Sequence, residues 1–134
     1  MQNINYIKVY TNKIIINNNQ TKYISLNKYL DSILLDQLTT YDGRICAVRE
    51  KYGFVKLTPI YINKTNILIP LNNLKDFENI YINICNIIKL ESKKHNTLIV
   101  FKDTEHIIVN KKINMINKYI KRAITINHYS WFFS

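Results

Sequence analysis

The sequence predicts an α+β fold: a mostly antiparallel β-sheet with two or three packed amphipathic helices, in a single domain spanning residues 1–134. Segments of two-residue alternation predict strands, and separate segments with apolar residues three and four positions apart predict helices. The composition agrees, because 47% of residues are hydrophobic and the chain has only 2 Gly and 2 Pro. Such a chain is long enough to bury a core and is not rich in loops.

The first two predicted elements are strands. Apolar and polar residues alternate from Ile4 to Tyr10, and a second β-rich segment covers Ile14 to Ile16. The polar stretch at residues 17–20, Asn-Asn-Asn-Gln, predicts a turn or loop.

Two helices are predicted next. Apolar residues recur at helical spacing from Leu26 to Leu38, and Ser25 is suited to cap the start of that helix. A second helix is expected over residues 41–52, because Thr40 can cap its start and Gly53 can end it.

The rest of the chain predicts strands and then a last helix. Two β-rich segments flank the turn at residues 63–66, and Pro70 ends the second of them. Alternation from Ile80 to Leu90 predicts one long strand. Residues 97–101 and 106–109 predict a hairpin, and residues 111–126 return to helical spacing, with Ile113, Ile116, Ile120 and Ile124 on one side.

The net charge of +10 at a pI near 9.6 favours a polyanionic partner, with nucleic acid first and an anionic membrane surface second. A charge excess that serves only solubility is the simpler alternative. No apolar stretch approaches the ~20 residues of a membrane span. With nucleic acid as the first candidate, we expect no membrane partner. With Cys46 and Cys85 as its only cysteines and no signal-peptide pattern, the chain is expected to be reduced and cytoplasmic.

The sequence contains no motif that predicts catalysis. It lacks a nucleophile elbow, a phosphate-binding glycine loop and a paired metal-ligand spacing, and His95, His106 and His128 are scattered. We therefore expect no enzyme activity, no cofactor and no metal. Both cysteines are expected to act as small hydrophobic residues.

The positive charges point instead to phosphate binding. The second helix has a predicted core stripe, flanked by Arg44 and Lys51 on one side and Arg49 on the other, with Lys56 beyond its end. On the last helix, basic residues including Lys111 lie opposite the isoleucine stripe. Two solvated helix faces are the alternative. The predicted DNA-binding residues are Arg44, Arg49, Lys51, Lys56, Lys118, Lys121 and Arg122.

Three segments of the chain together resemble the central block of the ComK-like competence transcription factors. They are Tyr41-Asp42-Gly43-Arg44, Pro59-Ile60-Tyr61-Ile62 and Asn66-Ile67-Leu68-Ile69-Pro70. The resemblance implies an activator of competence and DNA-uptake genes, associated with the nucleoid. It also implies binding to AT-rich double-stranded DNA, chiefly through the minor groove, as a homodimer or higher oligomer.

The sequence departs from the family pattern at several positions. Leu71 follows the strand-ending proline in place of Thr or Ser, Tyr81 replaces a Trp, and Thr104 replaces the hairpin glycine. Longer members continue with a tail used in activation and in recognition by a protease adaptor, whereas this sequence stops at Ser134. We therefore also consider a truncated paralogue that modulates a full-length regulator by protein–protein interaction.

A third hypothesis, a single-strand or RNA-binding module, comes from the 10 tyrosines and many lysines. The role of Arg44 also has two interpretations. We expect Arg44→Ala to weaken DNA binding with the fold intact, whereas a structural residue that fixes Gly43 or pairs with Asp42 would mainly affect stability.

Overall fold

The structure, a computed structural model, describes residues 3–72 and 78–133, with side chains as far as residue 126. Within these residues the fold is α+β, as the sequence predicts. The described helices are α1 (Leu26–Leu34), α2 (Tyr41–Tyr52) and α3 (Ile113–Phe133). The described strands are β1 (Tyr6–Val9), β2 (Ile14–Ile16), β3 (Asn19–Gln20), β4 (Ile60–Asn63), β5 (Asn66–Pro70), β6 (Asn79–Asn83), β7 (Ile87–Lys93), β8 (Asn96–Phe101) and β9 (His106–Val109).

The described strands form two antiparallel sheets. The large sheet has the order β3-β2-β1-β6-β5-β4, and the small sheet has the order β7-β8-β9. The N-terminal strand therefore lies in the middle of the large sheet, where Ile7 faces Tyr81 across the β1–β6 pair. β4 is an edge strand, which leaves one side of its backbone without a neighbouring strand.

Both faces of the large sheet are buried, because its apolar residues alternate between two cores. In β5, Leu68 faces the first core, whereas Ile67 and Ile69 face the second. The first core, under α1 and α2, contains Ile4, Ile7, Ile14, Ile16, Leu26, Tyr29, Leu30, Leu34, Tyr41, Ile45, Ile60, Ile62, Leu68 and Tyr81. The second core, under the small sheet and α3, contains Tyr6, Ile67, Ile69, Leu71, Ile82, Ile99, Phe101, Val109, Ile116 and Ala123.

The predicted caps of the first two helices are confirmed, but the first helix is shorter than predicted. The hydroxyl of Ser25 accepts from the backbone N–H of Lys28, and α1 ends at Leu34. A short 3₁₀ turn follows, and Leu38 is left-handed (φ 59°) and 93% exposed. The assignment of Leu38 to the apolar stripe was therefore wrong, because the chain turns away from the core before reaching it.

α2 begins and ends as predicted. The Thr40 hydroxyl accepts from the N–H of Gly43, and Gly53 ends the helix with a φ of 75°. The start of α2 is also tied to α1, because the Asp31 carboxylate accepts from the backbone N–H of Tyr41 at 2.7 Å.

The predicted turn at residues 17–20 is right only for its first half. Asn17 and Asn18 both have positive φ (50° and 71°), the conformation of a two-residue hairpin turn. Such a turn places the next residues opposite the preceding strand, and Asn19 pairs with Ile16. Residues 19–20 are therefore a short strand and not a loop.

The single strand predicted from Ile80 to Leu90 was wrong. The chain leaves the large sheet after Asn83, forms a 3₁₀ turn at residues 84–86, and enters the small sheet at Ile87. The Asn83 side chain causes this break locally, since its oxygen accepts from the N–H of Cys85 while its amide donates to the carbonyl of Ile4.

The last helix begins at Ile113, so Lys111 precedes it, and it continues beyond the predicted end at Ile126. Ile116 is buried as predicted, but Ile124 is 51% exposed and was wrongly placed in the core stripe. A step of four residues advances about 40° beyond a full turn, so a series of such steps moves off the buried face. The series through Ala123 and Ile126 follows that face instead.

Candidate nucleic-acid interface

The guanidinium of Arg44 is held against the edge strand β4. Its Nη1 donates to the carbonyl of Tyr61 at 2.9 Å, and its Nη2 donates to Oε1 of Gln37 at 2.6 Å. The amide of Gln37 in turn donates to the carbonyl of Ile62 at 2.7 Å. The guanidinium carbon also lies 5.7 Å from the centroid of the Tyr61 ring. Arg44 and Gln37 together satisfy two carbonyls of an edge strand.

The pairing of β4 explains why the Ile62 carbonyl needs a partner. The β4–β5 register is irregular between Tyr61 and Asn63, so Ile62 has no residue opposite it. Burial lowers the pKa of Arg44, and the nearby Tyr61 partly offsets this effect. These contacts favour a structural role for Arg44, although through the edge strand and not through Gly43 or Asp42.

The other cations of the α2 region differ in their surroundings. Arg49 is half-buried, and its Nε donates to the hydroxyl of the buried Thr58 at 2.9 Å. Lys51 is exposed, with its ammonium 5.6 Å from the centroid of the Tyr52 ring, and Lys56 is exposed beyond the helix. The two arginines therefore face inward, toward β4 and the segment before it, while the two lysines face solvent.

The predicted basic residues of α3 share one exposed face. Lys118, Lys121 and Arg122 are all exposed, and together with Asn114 and Asn117 they line a shallow groove. The structure thus brings this part of the predicted site together, with a polar amide beside each turn of basic residues.

Arg122 also links α3 to the end of α2. Its guanidinium carbon lies 4.8 Å from the centroid of the Phe54 ring, and Phe54 packs against Val48 and Ile126. A second small groove is lined by Tyr52, Phe54, Arg122 and Thr125. The C-terminal end of α2 therefore lies beside the basic face of α3, whereas Arg44 is held at the edge strand.

The charge is distributed unevenly along the chain. Residues 87–134, which build the small sheet and α3, include nine Lys or Arg and three Asp or Glu. After Glu105 the sequence has no acidic residue. Helical spacing does not predict Lys93, Lys94 and Lys112, because the first two lie in a hairpin and the third precedes α3. The absence of acidic residues after Glu105 is the sequence signal that points to Lys112.

The described tyrosine side chains are buried or partly buried in the fold. Of those whose side chains the structure describes, none is fully exposed. The described tyrosines are Tyr6, Tyr10, Tyr23, Tyr29, Tyr41, Tyr52, Tyr61, Tyr81 and Tyr119. Tyr6, Tyr29, Tyr41 and Tyr81 are buried, and the other five are partly exposed. Stacking of successive bases requires accessible ring faces, so the four buried tyrosines do not suit a single-strand platform.

The described residues offer little for other chemistry. Among them, no three His, Cys, Asp or Glu side chains are grouped so that they could hold a metal ion. Burial raises the pKa of the Cys85 thiol, whereas Cys46 is exposed on α2 and does not pack as a small hydrophobic residue. None of the described helices has the length and apolar character needed to span a membrane.

A small α+β domain with its positive charge concentrated in one layer is typical of proteins that bind nucleic acid. Comparison with models of protein families gives a match to the family described as ComK protein, over residues 3–130. Because the match covers nearly the whole chain, the protein belongs to the ComK family, which is a family of competence transcription factors. Searches of curated proteins and of solved structures gave no significant match.

Proposed function

We propose that the protein is a transcription regulator that binds AT-rich duplex DNA, chiefly through the minor groove, and activates competence genes. Family membership supports the regulatory role, and the exposed basic face of α3 is the observation that carries DNA binding. The protein acts in the cytoplasm at the nucleoid, as a homodimer or a larger oligomer.

The basic face of α3 binds phosphates in this proposal. Lys118, Lys121 and Arg122 extend from a rigid helix into a shallow groove, where Asn114 and Asn117 provide uncharged donors. Each phosphate neutralised by a cation releases counterions, which makes binding depend steeply on salt. Such contacts position the protein on a duplex without reading its sequence.

The α2 cations divide into two roles in the same proposal. Lys51 and Lys56 extend the phosphate-binding surface, because the Arg122–Phe54 contact brings the end of α2 beside α3. Arg44 and Arg49 hold α2 in place through β4 and Thr58, and so position those lysines.

Recognition of AT-rich DNA rests on shape more than on direct base contacts. The chain has only three arginines, and at least two of them donate hydrogen bonds within the fold. This leaves few residues for bidentate contacts with guanine in the major groove. A narrow minor groove instead concentrates negative potential and attracts cationic side chains, with sequence preference arising from groove width and deformability.

The binding assay uses three probes of equal length over a salt series: an AT-rich duplex, a GC-rich duplex and a single strand. The AT-rich duplex should bind most tightly at every salt concentration. Equal affinity for the GC-rich duplex would remove the minor-groove proposal, and preference for the single strand would support an RNA or single-strand module. Absence of binding, together with a stable complex with a full-length family member, would support the modulating paralogue.

A variant tests whether the α3 face binds phosphate. Replacing Lys118, Lys121 and Arg122 by Gln should flatten the slope of log affinity against log salt by up to about 2.7, at ~0.9 per phosphate. The matched control replaces Lys22, Lys28 and Lys64, which are exposed elsewhere, and its slope should not change. Molecular mass in solution is measured alongside. An unchanged salt slope in the α3 variant would contradict the phosphate-binding role. A changed molecular mass in solution would indicate that α3 forms an interface between copies.

A further inference from the structure

The small sheet ends in a tight basic turn. β7 and β8 are joined at Lys94, which is left-handed (φ 59°), and at His95, while Lys93 pairs with Asn96 across the hairpin. Lys93, Lys94 and His95 are all exposed. This hairpin tip therefore presents two ammonium groups and an imidazole on a short turn fixed by strand pairing.

A second basic segment lies at the same end of the sheet. β9 leads directly into Lys111 and Lys112, just before α3 begins at Ile113. Thr97 of β8 lies between the two segments, because it pairs with Ser92 on one side and Val109 on the other. Adjacent strands are about 4.8 Å apart, so the two segments are separated by about 10 Å.

The connection between the segments is fixed by a buried side chain. The Thr97 hydroxyl donates to the carbonyl of Lys111 at 2.7 Å, and Thr97 itself is fully buried. The backbone of the second segment is therefore held to the strand that forms the hairpin. The lysines of the hairpin tip and the lysines before α3 are therefore held at fixed positions relative to each other and to α3.

Among the described residues, Glu91 is the acidic residue that forms an ion pair with one of these lysines. Glu91 lies 3.6 Å from Lys93, but both side chains are about half exposed (48% and 51%), so this pair is weak and screened. The first turn of α3 contains no acidic residue. Cations beside the positive end of a helix dipole also do not stabilise that helix. The charges therefore have no evident structural purpose and suit an anionic partner.

We propose that Lys93, Lys94, Lys111 and Lys112 form a second contact with the backbone of duplex DNA, separate from the residues of α2 and α3. This inference rests on the proposed function. Ile113 and Arg122 are about 14 Å apart along the helix axis at 1.5 Å per residue. This separation exceeds the ~6 Å width of the minor groove, so the two basic clusters can contact phosphates on both sides of that groove.

The test replaces all four lysines by Gln and measures affinity for the AT-rich duplex over the same salt series. Loss of four phosphate contacts should flatten the slope by up to about 3.6. The matched control replaces Lys22, Lys28, Lys64 and Lys102, which removes the same charge from exposed sites elsewhere. The control should retain the slope of the unmodified protein, and thermal unfolding should show that both variants remain folded.

The outcomes separate this inference from the proposed function. An unchanged slope in the hairpin variant, or equal flattening in the control, would overturn the second contact. If the unmodified protein binds duplex and only the variant of the α3 face alters the slope, this inference fails and the proposed function stands. If the unmodified protein binds no duplex, both fail. A loss confined to single-stranded probes would assign these lysines to another partner and also overturn it.

Discussion

Replacing Arg44 by Ala is expected to destabilise the protein without removing a phosphate contact. The substitution removes donors to the Tyr61 carbonyl at 2.9 Å and to Gln37 at 2.6 Å. Hydrogen bonds from charged groups contribute about 1.5–3 kcal/mol each, or about 3–6 kcal/mol for the two. Solvent screening at the half-exposed Arg44 reduces the combined loss to about 2 kcal/mol. For a chain of this size, that loss corresponds to a fall in Tm of about 6–8 °C.

The assay combines thermal unfolding with the salt series, and binding is measured well below the Tm of the variant. Lys28→Ala, which removes one exposed charge from α1, is the matched control and should leave the Tm within about 1 °C. A double-mutant cycle with Gln37→Ala isolates the interaction between the two side chains, whose coupling should reach about 1 kcal/mol.

The reasoning would be refuted by the opposite pattern. A Tm like that of the unmodified protein, with the salt slope flattened by about 0.9, would make Arg44 a phosphate contact. That result would restore the original interpretation of this residue, in which binding weakens while the fold is intact. A fall in Tm with an unchanged slope supports the structural role.

Three further predictions concern stability. Asn83→Leu should cost about 3 kcal/mol in chemical denaturation, because it leaves the buried N–H of Ile67 without its acceptor and removes one donor to the carbonyl of Ile4; a cost below 1 kcal/mol would contradict this. Gly53→Ala should cost about 1 kcal/mol from backbone strain alone, since φ is 75° and no atom lies within 4 Å of the added carbon; equal denaturation midpoints would be the contrary result. Burial raises the pKa of Tyr29 to about 12, above the 10.0 of the unfolded chain, so the stability from its protonated form is complete below pH 10 and is lost toward pH 12. Tyr29→Phe should therefore lose less stability between pH 8 and pH 11 in urea, and an equal loss would rule out this linkage.

The local elements were predictable because their signals lie close together in the sequence. Thr40 and Gly53 are adjacent to the helix they bound, and their cap geometry follows from residue type. The exchange of sheets after Asn83 was not predictable, since apolar alternation continues through it and the partners of Asn83 include a carbonyl 79 residues away. Periodicity reports burial, and it does not report which sheet a strand joins.

The candidate site was predictable in its charge and not in its arrangement. The basic face of α3 follows from helical spacing, and its lysines are exposed as expected. The inward orientation of Arg44 depends on a carbonyl 17 residues away in an edge strand. The proximity of the hairpin tip to Lys111 depends on strand pairing through Thr97. Both are tertiary facts that residue spacing alone does not contain.

Because both faces of the large sheet are buried, the register of its strands depends on polar contacts. In a sheet with one wet face, a slip of one residue is prevented because it would expose apolar side chains. In β5 such a slip would move Leu68 to the second core and its neighbours to the first, so every apolar side chain would stay buried. The Asn83 amide forbids it, because its oxygen accepts from the N–H of Ile67 and its nitrogen donates to Asn66. The buried Asn83 amide therefore favours one register of β5 against β6, and an apolar residue at this position would discriminate less between registers.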